Sequence, residues 1–411
     1  MRTSIIASAL LCASSAICTD QQLPLGSSPL LSSQSDDDAP PYRSKLLSLH
    51  KSLVSIKSTS GLEQEVGEWL ADYFFDKGWT SNIQFVPPRE NTPEGHERLN
   101  IIAWPSDVDV PDPKVLLTSH IDTVPPHIPY SIEDGEVTKS TMISGRGSVD
   151  AKASIAAMVT ALDELLDAGK VSADDVMLLF VVGEEVSGEG MRWFNDSLDG
   201  VDHPPHFDAV IFGEPTENKL ACGHKGALFC HLEAQGEAGH SGYPWLAKSA
   251  NELMVRAMSK VLSADLGSSE RFGNTTVNLG VIEGGVAENV IPEHASAGIM
   301  VRVALGPQKS GGEVVRQRIQ AILDEVDEEA FTFHCGQSYG FVETNCDVDG
   351  FETMVANYGT DVPHLQGGFT RYLYGPGTIL VAHGPRENIT VGDLETAVEG
   401  YQKLVLNALG N

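Results

Sequence analysis

Five loops of this chain place His, Asp or Glu where a packed sheet would end, and four of them directly follow a short apolar run. Those four read LLTSHID, LLFVVGEE, AVIFGEPT and TILVAHGP; the fifth, SGRGSVD, opens an Ala-rich helical stretch. Short apolar runs bounded by Gly, Pro or charge have the length of strands buried on both faces. Strands of that kind alternate with helices in parallel sheets, and functional groups then collect on the loops at the strand ends. The alternation is present. YRSKLLSLHKSLVSI and GLEQEVGEWLADYFFDKG carry helical spacing, LNIIAWP and KVLLTSHID read as strands, DAKASIAAMVTALDELLDAG as a long helix, and DDVMLLFVVGEE and HFDAVIFGEPT as further strands. The expected class is α/β, with a mixed, largely parallel sheet covered by helices.

From about Lys225 the texture changes. GALFCHLEAQGEAGHSG, TTVNLGVIEGG and SAGIMVRVAL alternate like half-exposed strands, while SANELMVRAMSKVLSAD and GGEVVRQRIQAILDEV have helical spacing. This is the pattern of a small sheet with helices on one face. The tail, beginning TILVAHGPRENIT, reads as a buried strand, a loop and a final helix that suit the first domain. The expected organisation is therefore a main domain in two parts, 43–224 and 336–411, interrupted by an α+β insertion at 225–335.

The segment before residue 43 has a different character. Arg2, an apolar stretch from Ile5 to Leu11 and small residues at Ala16 and Cys18 make residues 1–18 a signal peptide, and 19–42, rich in Ser, Pro and Asp, a flexible or propeptide-like lead. No later apolar stretch approaches the roughly 20 residues that a bilayer span needs. The expected location is secreted. A formal net charge of -30 argues against nucleic acid or an anionic membrane as partner. Cleavage leaves Cys222, Cys230, Cys335 and Cys346 in a compartment that permits disulfides, with three pairings open and no C-x-x-C for a thiolate site. Sequons at Asn195, Asn274 and Asn388 suit the same route, the last lying close to His383.

Each of the five loops has a bland reading. His120 and Asp122 leave an extended segment on the same side, so Asp122 can accept the spare N–H of His120, but a surface His beside a turn acid has the same spelling. Asp150 before a helix can be an N-cap. Glu214 can be a turn acid before Pro215, His383 a core or loop histidine, and the adjacent Glu184 and Glu185 a solvated loop. Adjacent acids at the lip of a core, however, repel one another unless a cation is present. Two zinc ions about 3.5 to 4 Å apart need a bridging carboxylate and further N and O ligands on each. His120, Asp150, Glu185, Glu214 and His383 supply that number, and Glu184 remains as a base.

H-x-D at 120–122, G-R-G-S-V-D at 145–150, G-E-E at 183–185, G-E-P-T at 213–216, G-H-S-G-Y-P at 239–244, E-N-V-I-P at 288–292 and A-H-G-P at 382–385 occur in that order. The set resembles the zinc metallopeptidase family of aminoacylases, acetylornithine deacetylase, succinyl-diaminopimelate desuccinylase and glutamate carboxypeptidase, over nearly all the chain after the lead. The resemblance implies a catalytic domain interrupted by a lid that often forms a homodimer. It implies two Zn²⁺ (Co²⁺ or Mn²⁺ fit the same ligands), with His120, Asp150 and Glu214 on one, Asp150, Glu185 and His383 on the other, and Asp150 bridging. Glu184 and Asp122 become catalytic residues, and His240 of the lid becomes an oxyanion donor reaching across the dimer. Asn289 and Arg302 match substrate-facing lid positions, and Gly375, Gly377 and Gly384 allow close approach of backbone. The substrate is a peptide with a free C-terminus, making the enzyme a carboxypeptidase; the alternative is an N-acyl amino acid. No G-x-S-x-G or H-E-x-x-H is present, which disfavours a serine hydrolase or a single-helix zinc site.

Overall fold

A computed structural model describes residues 38–108, 111–201 and 204–410. The expected signal segment and the lead up to residue 37 lie outside the described residues. Two helices, α1 (Arg43–Ser55) and α2 (Gln64–Asp76), lead into strands β1 (Thr80–Val86), β2 (Arg98–Trp104) and β3 (Val115–His120). Then come α3 (Lys152–Asp167), β4 (Val176–Val181), α4 (Glu189–Leu198), β5 (Ala209–Gly213) and β6 (Leu220–His224). The second region contains β7 (Gly226–Gln235), α5 (Ala250–Ser263), β8 (Thr276–Gly284), β9 (His294–Val303), α6 (Gly311–Val326) and β10 (Phe331–Ser338). The chain closes with β11 (Val342–Glu343), β12 (Thr353–Ala356), β13 (Thr370–Tyr374) and α7 (Val391–Ala408).

The large sheet runs β1-β2-β4-β3-β5-β13-β6-β11, with β12 on β6. Its centre, β4-β3-β5-β13, is parallel, while β1, β2 and β11 pair antiparallel. Every residue of β3, β4 and β5 is buried, because successive side chains enter opposite layers. Leu117, Leu178, Phe180 and Ile211 pack under α1, α2, α3 and α7, whereas Leu116, Leu179, Val210 and Phe212 pack with Met191 and Phe194 of α4. Burial on both sides is the cause of the continuous apolar spelling. The chain passes from β3 to β4 on one side and then to β5 on the other, so the crossovers diverge about β3. That reversal opens a crevice at the carboxyl ends of the strands.

TILVAHGP does not contain a strand. Residues Ile379–Val381 form a 3₁₀ turn with Leu380 85% exposed, and the sheet strand is Thr370–Tyr374, five residues earlier. The Gly-Pro-Gly at 375–377 ends that strand, and the four apolar residues after it cross the surface. Tyr42, expected in the lead, is buried in the core beside α1.

β7, β8, β9 and β10 form a four-stranded antiparallel sheet in the order β8-β9-β7-β10. Alternate residues of β7 and β9 are buried under α5 and α6 and form a core of their own. The cysteines pair Cys222–Cys346 and Cys230–Cys335. Both bonds join the outgoing chain at 222–230 to the returning chain at 335–346. Cys230 and Cys335 lie opposite each other on β7 and β10. Replacing Cys222 and Cys346 together by Ser should cost about 2–5 kcal/mol, because the bond restricts the unfolded chain beyond what Cys230–Cys335 does. Thermal unfolding with and without reductant measures it; an unchanged midpoint would contradict that constraint. No helix among the described residues is long and apolar enough to cross a membrane.

Candidate metal centre

Three parallel strands deliver their following residues into one crevice. His120 is the last residue of β3, Glu214 follows the last residue of β5, and Glu184 and Glu185 lie just past β4. Asp150 enters from the loop before α3. His383 enters from the loop before α7, with φ at 62°. That left-handed conformation costs a non-glycine residue about 1–3 kcal/mol and persists only when the surroundings impose it.

Asp150 stands between the two histidines. Its Oδ1 is 3.2 Å from His120 Nε2 and its Oδ2 is 3.3 Å from His383 Nε2. His383 Nε2 also lies 2.9 Å from Glu185 Oε2. The N-cap position of α3 is Ala151, and the Asp150 carboxylate makes no capping bond. His120 donates from Nδ1 to the backbone carbonyl of Asp122 at 3.0 Å, so Nε2 is the nitrogen facing Asp150. The carboxylate of Asp122 is 3.5 Å from the same Nδ1. It accepts the backbone N–H groups of Glu184 and Glu185 at 3.1 and 3.3 Å, and the Ser60 hydroxyl at 2.7 Å. Asp122 therefore ties the acidic loop to the histidine strand. Gly183 permits this turn: its φ is 73°, and a Cβ there would stand 2.4 Å from the Arg98 guanidinium.

Among the described residues, two groups of side chains lie close enough to hold a metal ion: His120 with Glu184 and Glu214, and His120 with Asp150 and Glu185. Burial, followed by the neighbouring Glu214, pushes the Glu184 carboxyl well above its usual range. Glu214 is raised likewise, by burial against the pull of His120, and Glu185 rises to about 7 through burial and Asp150. Burial opposes a charge on His120, yet the carboxylates of Asp122 and Asp150 hold its pKa well above the ordinary value. His383 rises to about 10 beside Asp150 and Glu185. The cluster thus holds more buried carboxyl groups than its two histidines can keep ionised. Glu185 Oε1 is buried without a hydrogen-bond partner. An orphaned carboxylate oxygen in an acidic cluster with two imidazoles fits divalent cations.

A pocket borders the cluster, and Arg302, Tyr339, Tyr358, Asp361 and His364 line it. Of the substrate residues expected from sequence, Arg302 is among its lining; Asn289 and His240 are not. His240 is exposed in a short strand pair with Val290, its Nδ1 accepting the Gly242 N–H at 3.0 Å. Gly375 and Gly377 form the turn after β13, where their backbone carbonyls accept the N–H groups of Thr216, Asn218 and Glu217, and Gly384 follows His383. Asp361 and His364 escaped the sequence reading. Asp361 is buried, its pKa pushed up to about 7 by burial, and it lies near Glu184 and Glu214. Its segment, YGTDVPHL, follows no apolar run; the D-x-x-H spacing was the available signal.

Residues 116–407 match the model of peptidase family M20/M25/M40. A peptidase M20 domain-containing protein of Sordaria macrospora is 55% identical over 397 residues, covering 92% of this chain and 88% of its own length. A probable carboxypeptidase of Paracoccidioides brasiliensis is 46% identical over 382 residues, covering 88% and 85%. In structure the fold is similar to a tripeptidase from Staphylococcus aureus, with a TM-score of 0.71 at 20% identity over 90% of this chain and 99% of that one. With His120, Asp150, Glu184, Glu185, Glu214 and His383 gathered in a single crevice, and with matches over most of its length, this chain belongs to peptidase family M20/M25/M40 and is a hydrolase.

Proposed function

We propose that the protein is a secreted di-zinc carboxypeptidase. The observation that carries the metal assignment is Asp150, whose two oxygens each face a different histidine, as a bridging ligand requires. His120 and Glu214 then complete one site, and Glu185 and His383 the other. Two bound zinc ions would polarise the scissile carbonyl and ease deprotonation of a water between them.

The remaining work belongs to the protein. Glu184 takes the water's proton on its carboxylate and returns it to the departing amine nitrogen. Asp122 holds His120 and the Glu184–Glu185 backbone in place. Arg302 lines the pocket with no ion-pair partner among the described residues, and a guanidinium there suits a substrate carboxylate. This favours a free C-terminus, as does the relative named a probable carboxypeptidase. His240 would serve the pocket of a second copy of the chain, since in its own chain it stands outside the lining.

Two disulfides suit an oxidising compartment and support secretion. N-terminal sequencing of protein recovered from medium should begin at Thr19; retention of Met1 in the mature protein would oppose it. Dialysis against a chelator should abolish hydrolysis of C-terminally varied peptides, and Zn²⁺ should restore it. Full turnover by metal-free protein would overturn the metal assignment. Preferential turnover of N-acyl amino acids would instead favour a deacylase.

A further inference from the structure

We infer that Glu387 is a positioning residue that locks the loop carrying Asp150 to the loop carrying His383. The inference rests on the metal reading above but concerns a side chain outside the ligand set. Glu387 follows His383 by four residues and is 1% exposed. Its Oε1 accepts three backbone N–H groups of the other loop, from Gly147 at 2.9 Å, Val149 at 3.1 Å and Asp150 at 3.2 Å. Its Oε2 accepts from Arg146 Nη1 at 2.5 Å. The same guanidinium reaches back through Nη2 to the carbonyl of His383 at 3.3 Å, and through Nε to the carbonyl of Pro126 at 3.3 Å. The Glu387 carbonyl accepts the Gly145 N–H at 3.2 Å, and pairing of Asn388 with Ser144 continues the seam.

The result is a closed circuit. One carboxylate fixes the backbone at Asp150, and the arginine it holds fixes the backbone at His383. A buried carboxylate is stable only when such donors replace its water, so the loops must arrive in one register for Glu387 to be satisfied at all. The carbonyl that Arg146 grips belongs to His383, the residue with the left-handed backbone. The other buried arginine–carboxylate pairs among the described residues lack this link. The Arg43–Glu395 ion pair joins α1 to α7, which makes it an internal control.

The test uses full-length chain stripped by chelator and titrated calorimetrically with Zn²⁺, with thermal unfolding and circular dichroism recorded alongside. Wild type should take up two ions. Glu387→Gln should keep the native spectrum while its weaker site loses about 10- to 100-fold in affinity, the range for partners that orient metal ligands. Glu395→Gln should lower the melting temperature without changing Zn²⁺ affinity. If Glu387→Gln does not fold, Arg146→Lys carries the test: it keeps a cation against Glu387 but loses the fork to His383, and the same weakening is expected. Wild-type affinity at both sites in a folded Glu387→Gln or Arg146→Lys chain would overturn the inference alone. Wild-type protein taking up fewer than two ions would overturn the metal reading, and the inference with it.

Discussion

Replacing Glu184 by Gln should leave the metal content unchanged and lower kcat by roughly 10²- to 10⁴-fold, the usual contribution of a positioned acid–base group. The amide keeps the volume of the side chain and its hydrogen-bonding capacity, but it cannot accept a proton from water. Metal content should persist because the proposed ligand set, His120, Asp150, Glu185, Glu214 and His383, is complete without Glu184. The paired acids thus divide their labour by direction. Glu185 points to the histidine beyond Asp150, and Glu184 points toward His120 and Glu214. Elemental analysis combined with steady-state kinetics checks both halves. Loss of one ion together with activity would make Glu184 a ligand, and unchanged turnover would remove it from the chemistry.

Replacing Asp150 by Asn should have the larger effect on metal binding. The carboxylate is the only group among the described residues that contacts both His120 and His383, so neutralising it weakens two sites together. Loss of an outer partner typically costs 10- to 100-fold in affinity, and loss of a shared ligand should exceed that. Zn²⁺ titration of the stripped variant should show neither tight site, with hydrolysis undetectable. Retention of one ion at wild-type affinity would show that the histidines serve independent centres.

Much of this arrangement could be read from the sequence, for a physical reason. β4 and β5 are buried on both faces with continuous apolar spelling, so the first charged residue after each marks the crevice, while β3 is apolar only through Leu117 and carries its crevice residue, His120, as its last position. The helices α5 and α6 declare themselves by the spacing of their buried residues, whereas α3, buried continuously from Lys152 to Leu162, declares itself by its Ala-rich length. Legibility fails where the determinant is distant. β13 begins with half-exposed Thr370 and Arg371 and so lacks the continuous run, whereas the apolar Ile379–Val381 turn imitates a strand. Four cysteines left three pairings open until the two crossings of the chain were juxtaposed. Asp122 was read as a partner for His120, but most of its hydrogen bonds go to a loop 62 residues away, and Glu387 finds its partners more than 230 residues back. Asp361 and His364 lie in a segment with no periodicity to mark it.

Anomalous diffraction at the zinc edge from crystals of Zn²⁺-loaded protein tests the central claim most directly. Two peaks about 3.5 to 4 Å apart, one beside each oxygen of Asp150, are the expected result. A single peak, or His120 and His383 turned toward separate cavities with no metal between them, would contradict it.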